Sequence, residues 1–281
     1  MDIHESKFGV KNLSDEVAAH ASGWVENFAK FGHYAKGVVY ILIGGLTAFA
    51  AFGLGGKVTG ARGTVQFILE QPFGRIMLGA VALGLFGYVL WRFYQAIKDP
   101  QNRGSDTKGI AKRIGYAWSG LIYGALAIYS AFLAYRGYDN GGSSGDKRQM
   151  FVSKVLSWDL GEWIIGIIAV GTILLGLYQI YRAISERYLK NINISSEHRD
   201  LFKKAGKVGY IARGIVWGVI GYMLLQAALH TSSGQAGSTE SAFQFLRDST
   251  YGPILMGIVA LGLACYGIFM FIKGKYFRLP G

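Results

Sequence analysis

The sequence predicts an all-α integral membrane protein with six transmembrane helices, arranged as three consecutive helical hairpins. Three observations lead to this prediction. The chain is 51% hydrophobic and 16% charged, whereas soluble domains carry about 25% charged residues. Its apolar residues are grouped in six runs, each long enough to cross a hydrocarbon core of about 30 Å. A glycine pattern recurs three times in these runs, which indicates an internal repeat.

The repeated pattern is Gly-x4-Gly-x2-Ala-x-Gly, and it lies in the second helix of each hairpin. Glycines five residues apart are rotated by about 140° on a helix, so they open shallow grooves on more than one side. Small residues let membrane helices approach closely, so we expect these helices to pack against several neighbours. The expected structural glycines are Gly74, Gly79, Gly84, Gly161, Gly166, Gly171, Gly252, Gly257 and Gly262, joined by Gly37, Gly120 and Gly214 in the first helices.

The chain begins with a polar tail, residues 1–30, which contains a predicted amphipathic helix. Ser14 is a suitable N-cap residue, and apolar residues then recur at three- and four-residue spacing. This pattern is typical of a helix that lies at the membrane surface and leads into the first span. A helix packed on the protein's own loops is the alternative.

Three repeats follow, each made of two spans with a short apolar segment between them. The repeats cover residues 31–98, 114–185 and 208–275. The short segments lie at 64–69, 150–156 and 241–246. They are too short to cross a membrane, so we expect interfacial helices on the outer side. Basic loops and a tail complete the chain, at 99–113, 186–207 and 276–281.

The motifs of the repeats resemble a bacterial membrane family, the domain of unknown function 1206. Gly-[His/Tyr]-x2-[Lys/Ser/Arg]-Gly begins at Gly32, Gly115 and Gly209 in the three first spans. Repeat 1 continues with Gln71-Pro72-Phe73-Gly74 and Gly84-x2-Gly87-Tyr88-x2-Trp91-Arg92. Repeat 2 departs most, since Asp159-Leu160-Gly161 replaces Pro-Phe-Gly and Ser119 replaces the basic residue. The resemblance covers three tandem copies and implies architecture and cell-membrane location, without an activity.

The distribution of basic residues predicts the orientation. Six spans place both termini on one side of the membrane, and 21 of the 29 Lys and Arg residues lie on that side. Loops rich in Lys and Arg face the cytoplasm, so we expect cytoplasmic termini in the plasma (inner) membrane. Each repeat has an even number of spans, so the repeats are parallel, and we expect them to surround a pseudo-three-fold axis along the membrane normal.

Two basic residues occupy the same position in different repeats. Lys36 and Arg213 lie about one turn inside the predicted cytoplasmic ends of their spans. Snorkelling of these side chains to anionic lipid headgroups is one interpretation. The other is a pseudo-symmetric cationic ring, incomplete at Ser119, that binds a phosphate or an anionic solute. Arg92 and Arg182, near the same ends of the second and fourth spans, are further members of such a ring.

Aromatic residues also recur in register. They are Tyr40, Tyr123 and Trp217 in the first spans, with Tyr88 and Tyr266 in the second spans. Two interpretations remain open: these rings line an apolar ligand cavity on the axis, or they form interfacial belts and ordinary packing.

The absence of certain residue types in the spans argues against several classes of function. The middle turns of the predicted spans contain no Asp, Glu, Lys, Arg or His, which disfavours active transport, because proton relays and coupled ion sites need such groups. No catalytic constellation and no pair with metal-ligand spacing is found, so we expect no enzyme, no cofactor and no metal. The net charge of +12 lies in loops and tails, which argues against nucleic acid as a partner.

Two classes of function remain. The first is a non-catalytic module that binds membrane lipid, an apolar ligand or a membrane partner, including a second copy of itself. The second is a passive channel or facilitator for a small solute, with anionic solutes included. A water-accessible path along the axis favours the channel.

Overall fold

The computed structural model describes residues 3–100, 104–137, 150, 152–158, 160–189, 196–230 and 237–277, with the backbone path alone at 3–22, 25 and 196–198. Within these ranges the secondary structure is helical, and no strand is present. The principal helices are α1 (Ile3–Ala51), α2 (Ala61–Leu69), α3 (Gly74–Lys98), α4 (Thr107–Arg136), α5 (Gly161–Ile184), α6 (Ser196–Leu229), α7 (Thr239–Arg247) and α8 (Gly252–Lys275). A helical turn at 152–156 and a 3-10 helix at Arg187–Leu189 complete them.

Six helical segments within the described ranges are long and apolar enough to cross a membrane, which confirms the prediction of a multi-pass membrane protein. They are Glu26–Ala51, Gly74–Lys98, Thr107–Arg136, Gly161–Ile184, Arg199–Leu229 and Gly252–Lys275. We call the end of the bundle where α3, α5 and α8 terminate and where α4 and α6 begin the basic end, because both basic loops lie there.

The amino-terminal region differs from the prediction. Helix α1 is continuous over 49 residues, about 74 Å at 1.5 Å per residue. Ser14 lies inside this helix and does not cap it, and the helix has no break before the first span. The prediction that Ser14 caps the helix is therefore wrong, whereas the amphipathic helix at the membrane surface stays a prediction. No proline occurs between Ser14 and Ala51 to interrupt the backbone hydrogen bonds.

The spans follow one another in the spatial order α4, α3, α1, α8, α6, α5. The most extensive interfaces join different repeats, namely α1 with α8, α3 with α4, and α5 with α6. Within repeats 1 and 3, α1 packs on α3 and α6 packs on α8. Among the described residues, α4 and α5 of repeat 2 share no comparable interface. The six spans thus form a curved row that is open between α4 and α5.

Short helices close the end of the bundle opposite the basic end. Helix α2 buries Val65 and Ile68, and α7 buries Ala242 and Phe243. The turn at 152–156 buries Val152 and Val155 in the same way, against residues of α5 and α6. The three short segments between the spans are therefore helical, as predicted. Their place at a membrane interface stays a prediction.

The glycines that begin the second spans are sterically required in all three repeats. A Cβ added at Gly74, Gly161 or Gly252 would collide with a backbone carbonyl of the short helix or turn that precedes it. The chain reverses sharply at these points, and only a residue without a side chain lets the two helices approach. This contact is the same in repeats 1, 2 and 3, as expected from the repeated pattern.

Glycines inside the spans fall into two groups. Close neighbours surround Gly37, Gly84, Gly120, Gly214, Gly257 and Gly262, where a Cβ would lie 2.5–3.2 Å from the nearest atom. A Cβ at Gly79, Gly166 or Gly171 would meet nothing within 4 Å. The second group therefore faces open space, and the expected packing of these three glycines is not found in the structure.

Candidate functional site

Lys36 is buried in the interior of the bundle, with 2% of its surface exposed. Its Nζ lies 4.4 Å from the ring centroid of Tyr123 and 4.8 Å from that of Tyr88. The rings of Tyr266 and Tyr40 follow at 5.7 and 5.9 Å. Nζ also donates a hydrogen bond to the Tyr88 hydroxyl at 3.1 Å. Four aromatic rings thus enclose the ammonium group, and it does not extend to a membrane surface.

Arg213 occupies the corresponding position in repeat 3 and contacts the same rings. Its guanidinium carbon lies 4.6 Å from the Tyr266 ring centroid and 5.5 Å from that of Tyr40. Its Nη1 donates a 2.6 Å hydrogen bond to the Tyr266 hydroxyl, while its Nε is buried without a hydrogen-bond partner. Desolvated cation–π contacts contribute about 2 kcal/mol each, but they leave a guanidinium donor unsatisfied.

Arg92, on α3, contacts the same group of side chains. Its Nε donates a 2.7 Å hydrogen bond to the Tyr88 hydroxyl, and its Nη1 donates one of 2.9 Å to Oε1 of Gln95. The guanidinium also lies over the ring of Tyr116, at 5.3 Å. The helix periodicity explains the first contact, since residues four apart share one face.

Arg182, on α5, lies 4.9 Å from the ring centroid of Tyr210. Its charge acts on Lys36 and on Lys273 of α8. Lys273 was not predicted from the sequence, although a pattern could have identified it. Three residues, Gln95, Arg182 and Lys273, each follow the last glycine of the repeated pattern by eleven residues. This position is polar in all three repeats.

The predicted aromatic residues converge as well, with one exception. The hydroxyls of Tyr40 and Tyr123 lie 3.2 Å apart. The ring of Tyr266 lies edge-on to Tyr40 at 4.8 Å, and Tyr88 lies edge-on to Tyr123 at 4.9 Å. Trp217, which is half-buried, is not among the four rings within 6 Å of the Lys36 ammonium.

We call Lys36, Arg92, Arg182 and Arg213, with the tyrosines that contact them and with Lys273, whose charge interacts with theirs, the cationic cluster. Five of the six spans supply its cations, and α4 supplies Tyr116 and Tyr123. Of the three ion pairs between described residues, none includes a cation of the cluster. The charges that act most strongly on Lys36 are those of Arg213, Arg92 and Arg182, which are all positive.

Lys36 is buried and the other four cations are half-buried. Like charges that lose hydration in this way repel each other, which costs free energy unless a counter-charge is present. Tyrosine hydroxyls and rings offset only part of this cost. An anion placed among the five cations would reduce the repulsion and satisfy the free Arg213 donor. The described residues contain no cluster of three His, Cys, Asp or Glu side chains that could hold a metal ion. The chemistry of the site therefore favours a phosphate, sulfate or carboxylate group.

Comparison with known proteins places the chain in a family. The model of the family described as "Domain of Unknown Function (DUF1206)" matches residues 31–99, 114–186 and 208–276. An uncharacterized protein of Bacillus subtilis (strain 168), YxxB, is 30% identical over 264 residues, which cover 93% of this chain and 94% of the relative. No solved structure matches the chain. The chain is a multi-pass membrane protein that belongs to the DUF1206 family, with three tandem copies of the domain.

Proposed function

We propose that this protein is a non-catalytic membrane module that binds an anionic group in the interior of its six-span bundle. The observation that carries the proposal is the cationic cluster: five basic side chains converge there, and none of them has an acidic partner among the described residues. Helices from all three repeats build this cluster, so the bundle as a whole is organised around it.

The donors of the cluster suit an oxyanion. Arginine presents N–H groups in a planar fork that matches phosphate and carboxylate oxygens, and charge-assisted hydrogen bonds of this kind are strong. Nε of Arg213 is available for such a bond. The Lys36 ammonium has three N–H donors and makes one hydrogen bond, to Tyr88. A bound oxyanion would thus find unsatisfied donors on α1 and α6.

The location supports an anion from the cytoplasmic side of the membrane. The cluster lies towards the basic end of the bundle, where most Lys and Arg residues of the chain occur. By the positive-inside rule this end faces the cytoplasm. The cytoplasmic leaflet is rich in anionic lipids, and each basic residue near such a surface contributes about 1 kcal/mol.

The test compares anionic-lipid binding by the wild type and by Lys36→Gln/Arg213→Gln, using native mass spectrometry with dioleoyl phosphatidylglycerol. We expect the double substitution to lower lipid occupancy about tenfold. The matched control is Lys30→Gln/Lys203→Gln, because these two lysines already have acidic partners, Glu26 and Glu186. Equal occupancy in the wild type and the cluster variant would refute the proposal.

A passive channel or facilitator for small anions is the second candidate. The observation that favours it is that side chains from all six spans meet in one place, as the lining of a permeation path does. Flux of a small anion into liposomes distinguishes the two. A binding module holds its ligand and leaves this flux at the level of empty liposomes, whereas a channel raises it, and Lys36→Gln/Arg213→Gln then changes it.

A further inference from the structure

We infer that the anion at the cationic cluster is the headgroup of a membrane lipid, and that its acyl chain leaves the bundle sideways between α4 and α5. This inference rests on the proposed function and goes further by naming the class of ligand and its path. Among the described residues, repeat 2 is the repeat whose two spans do not pack together.

Repeats 1 and 3 are closed by the same contacts. A Cβ at Gly84 would lie 2.5 Å from the Cβ of Ala35, and one at Gly262 would lie 2.5 Å from the Cβ of Ala212. The corresponding glycine of repeat 2, Gly171, has nothing within 4 Å. The two halves of repeat 2 have therefore separated at the place where the other hairpins are tightest.

The sequence gives a physical reason for this separation. The three first spans align on Gly37, Gly120 and Gly214, so Trp118 stands where the other repeats have alanine. An indole ring does not fit where only a methyl group fits. In the structure Trp118 points outwards and is 58% exposed. In repeat 2, the bulky Trp118 side chain thus prevents the close contact between the two spans of the hairpin.

On α4, the face next to Trp118 is apolar and uncovered. Ile122 is 43% exposed, whereas Val39 and Val216, its counterparts in repeats 1 and 3, are 1% and 4% exposed. Helical periodicity places all three side chains on the face that points to the other span of the hairpin. This face is buried in repeats 1 and 3, whereas in repeat 2 it lies next to the gap.

Helix α5 shows the same difference. Leu175 is 47% exposed, whereas its counterparts Tyr88 and Tyr266 are 1% and 2% exposed. Both walls of the gap are thus lined by aliphatic side chains that correspond to core residues elsewhere. We call this gap the lateral slot, with Trp118, Ile122, Gly171 and Leu175 as its defining residues.

The inner end of the lateral slot meets the cationic cluster. Ser119, the neighbour of Trp118, stands where Lys36 and Arg213 stand in the other repeats. Its hydroxyl lies beside that of Tyr88, the residue that accepts a hydrogen bond from Lys36. An anion held by Lys36 and Arg213 therefore faces the repeat in which the third cation is missing and the wall is open.

The surroundings of the slot identify its occupant. At this depth the medium outside the helices is lipid hydrocarbon, so acyl chains are the molecules that can enter from the side. The cationic cluster selects among lipids those with a negative headgroup. A lipid would satisfy both halves of the site, whereas a free phosphate would leave the apolar slot without a ligand.

A single substitution can fill the slot without touching the cluster. Gly171→Phe places a ring in open space, because a Cβ there meets no other atom. The matched control is Gly166→Phe on the same helix, which is equally unobstructed and rotated by about 140° from Gly171. Gly171→Leu serves as a milder second variant. Melting temperatures in detergent confirm that each variant is folded.

Two probes separate the slot from the cluster: dioleoyl phosphatidylglycerol, measured by native mass spectrometry, and glycerol 1-phosphate, measured by its shift of the melting temperature. We expect Gly171→Phe to lower lipid occupancy at least about tenfold, a change of about 1.4 kcal/mol, and to leave the shift by glycerol 1-phosphate unchanged. Gly166→Phe should change neither, and Arg213→Gln should lower both.

Three results would overturn the inference. Wild-type lipid occupancy in Gly171→Phe, together with loss in Arg213→Gln, would refute the slot and leave the proposed function standing. Unchanged binding of both probes by Arg213→Gln would refute the proposed function itself. Conversion of a dimer to a monomer by Gly171→Phe in the same spectra, with lipid retained, would show that a second copy of the chain occupies the slot.

Discussion

Arg213 donates a hydrogen bond from Nη1 to the hydroxyl of Tyr266, at 2.6 Å. Lys36 makes the equivalent bond in repeat 1, from Nζ to the hydroxyl of Tyr88 at 3.1 Å. Each bond joins the first and second spans of one repeat, at the same register. Repeat 2 has Ser119 in the first of these positions, and its hairpin is open. The cation–tyrosine hydrogen bond is therefore a part of the candidate site. It also holds the two spans of its repeat together, so we call it the clasp.

This relationship predicts the effect of removing the two hydroxyls. Tyr88→Phe and Tyr266→Phe should each lower the free energy of unfolding by about 1–3 kcal/mol, because a buried cationic donor loses its acceptor. The control is Tyr222→Phe, whose hydroxyl accepts a bond from Gln226 at an exposed site, and which should shift stability by less than about 0.5 kcal/mol. Thermal unfolding in detergent provides the comparison. Similar losses in all three variants would contradict the clasp.

Part of the site could be predicted from the sequence, because corresponding positions of different repeats supply its residues. Equal register identified Lys36 with Arg213 and Tyr88 with Tyr266, and residues in equal register of parallel repeats are brought to equal depth. Arg92 and Arg182 joined them by their position near the same ends of the spans. Lys273 was missed, since its counterpart in repeat 1 is the neutral Gln95. A count of charges alone does not show that this position is polar in every repeat.

The parts that could not be predicted depend on departures from the repeat. Trp118 is one substitution among many in the sequence, and its effect becomes visible only where Ala35 and Ala212 touch glycines across their hairpins. The continuity of α1 has a different cause. An amphipathic stretch and an apolar span share the same helical hydrogen bonding, so the periodicity of the side chains does not mark a boundary between them.

Cytoplasmic termini are predicted from the bias of 21 among 29 basic residues. A reporter active only in the cytoplasm and fused to the carboxyl terminus should be active, because Lys- and Arg-rich ends are retained on that side. A reporter active only outside, inserted at Ser143 in the sequence that follows α4, should also be active. Silence of both fusions, with the fused proteins present in the membrane, would show that the orientation is inverted.

Alkaline pH is expected to weaken the structure at the loop between α5 and α6. The Tyr188 hydroxyl donates a 2.6 Å hydrogen bond to the carbonyl of Lys203. Burial, with the negative charge of Glu186, raises the pKa of Tyr188 to about 12. The unfolded value is about 10, so the contribution of this side chain is complete below pH 10 and is lost as the pH rises towards 12.

Tyr188→Phe measures this contribution. The variant should be less stable than the wild type at neutral pH, by roughly 0.5–1.5 kcal/mol for the lost hydrogen bond. The difference in melting temperature should shrink between pH 10 and 12. A difference that stays constant over this range would show that Tyr188 does not ionise in step with unfolding.

The glycine pattern gives the sharpest contrast between positions that look alike in sequence. Gly84→Leu and Gly262→Leu force a side chain into the Cβ of Ala35 or Ala212, and overpacking of this kind costs about 1–3 kcal/mol or more. Gly171→Leu occupies open space and should leave the melting temperature within a degree or so of the wild type, since a 1 kcal/mol change shifts it by only a few degrees. The alanine variants of Gly84 and Gly262 should have intermediate melting temperatures, because a methyl group demands a smaller displacement.

Thermal unfolding of the five variants in one detergent tests this order of melting temperatures. Equal losses at all three leucine positions would mean that α4 and α5 pack together in the folded protein, and the lateral slot would then not exist.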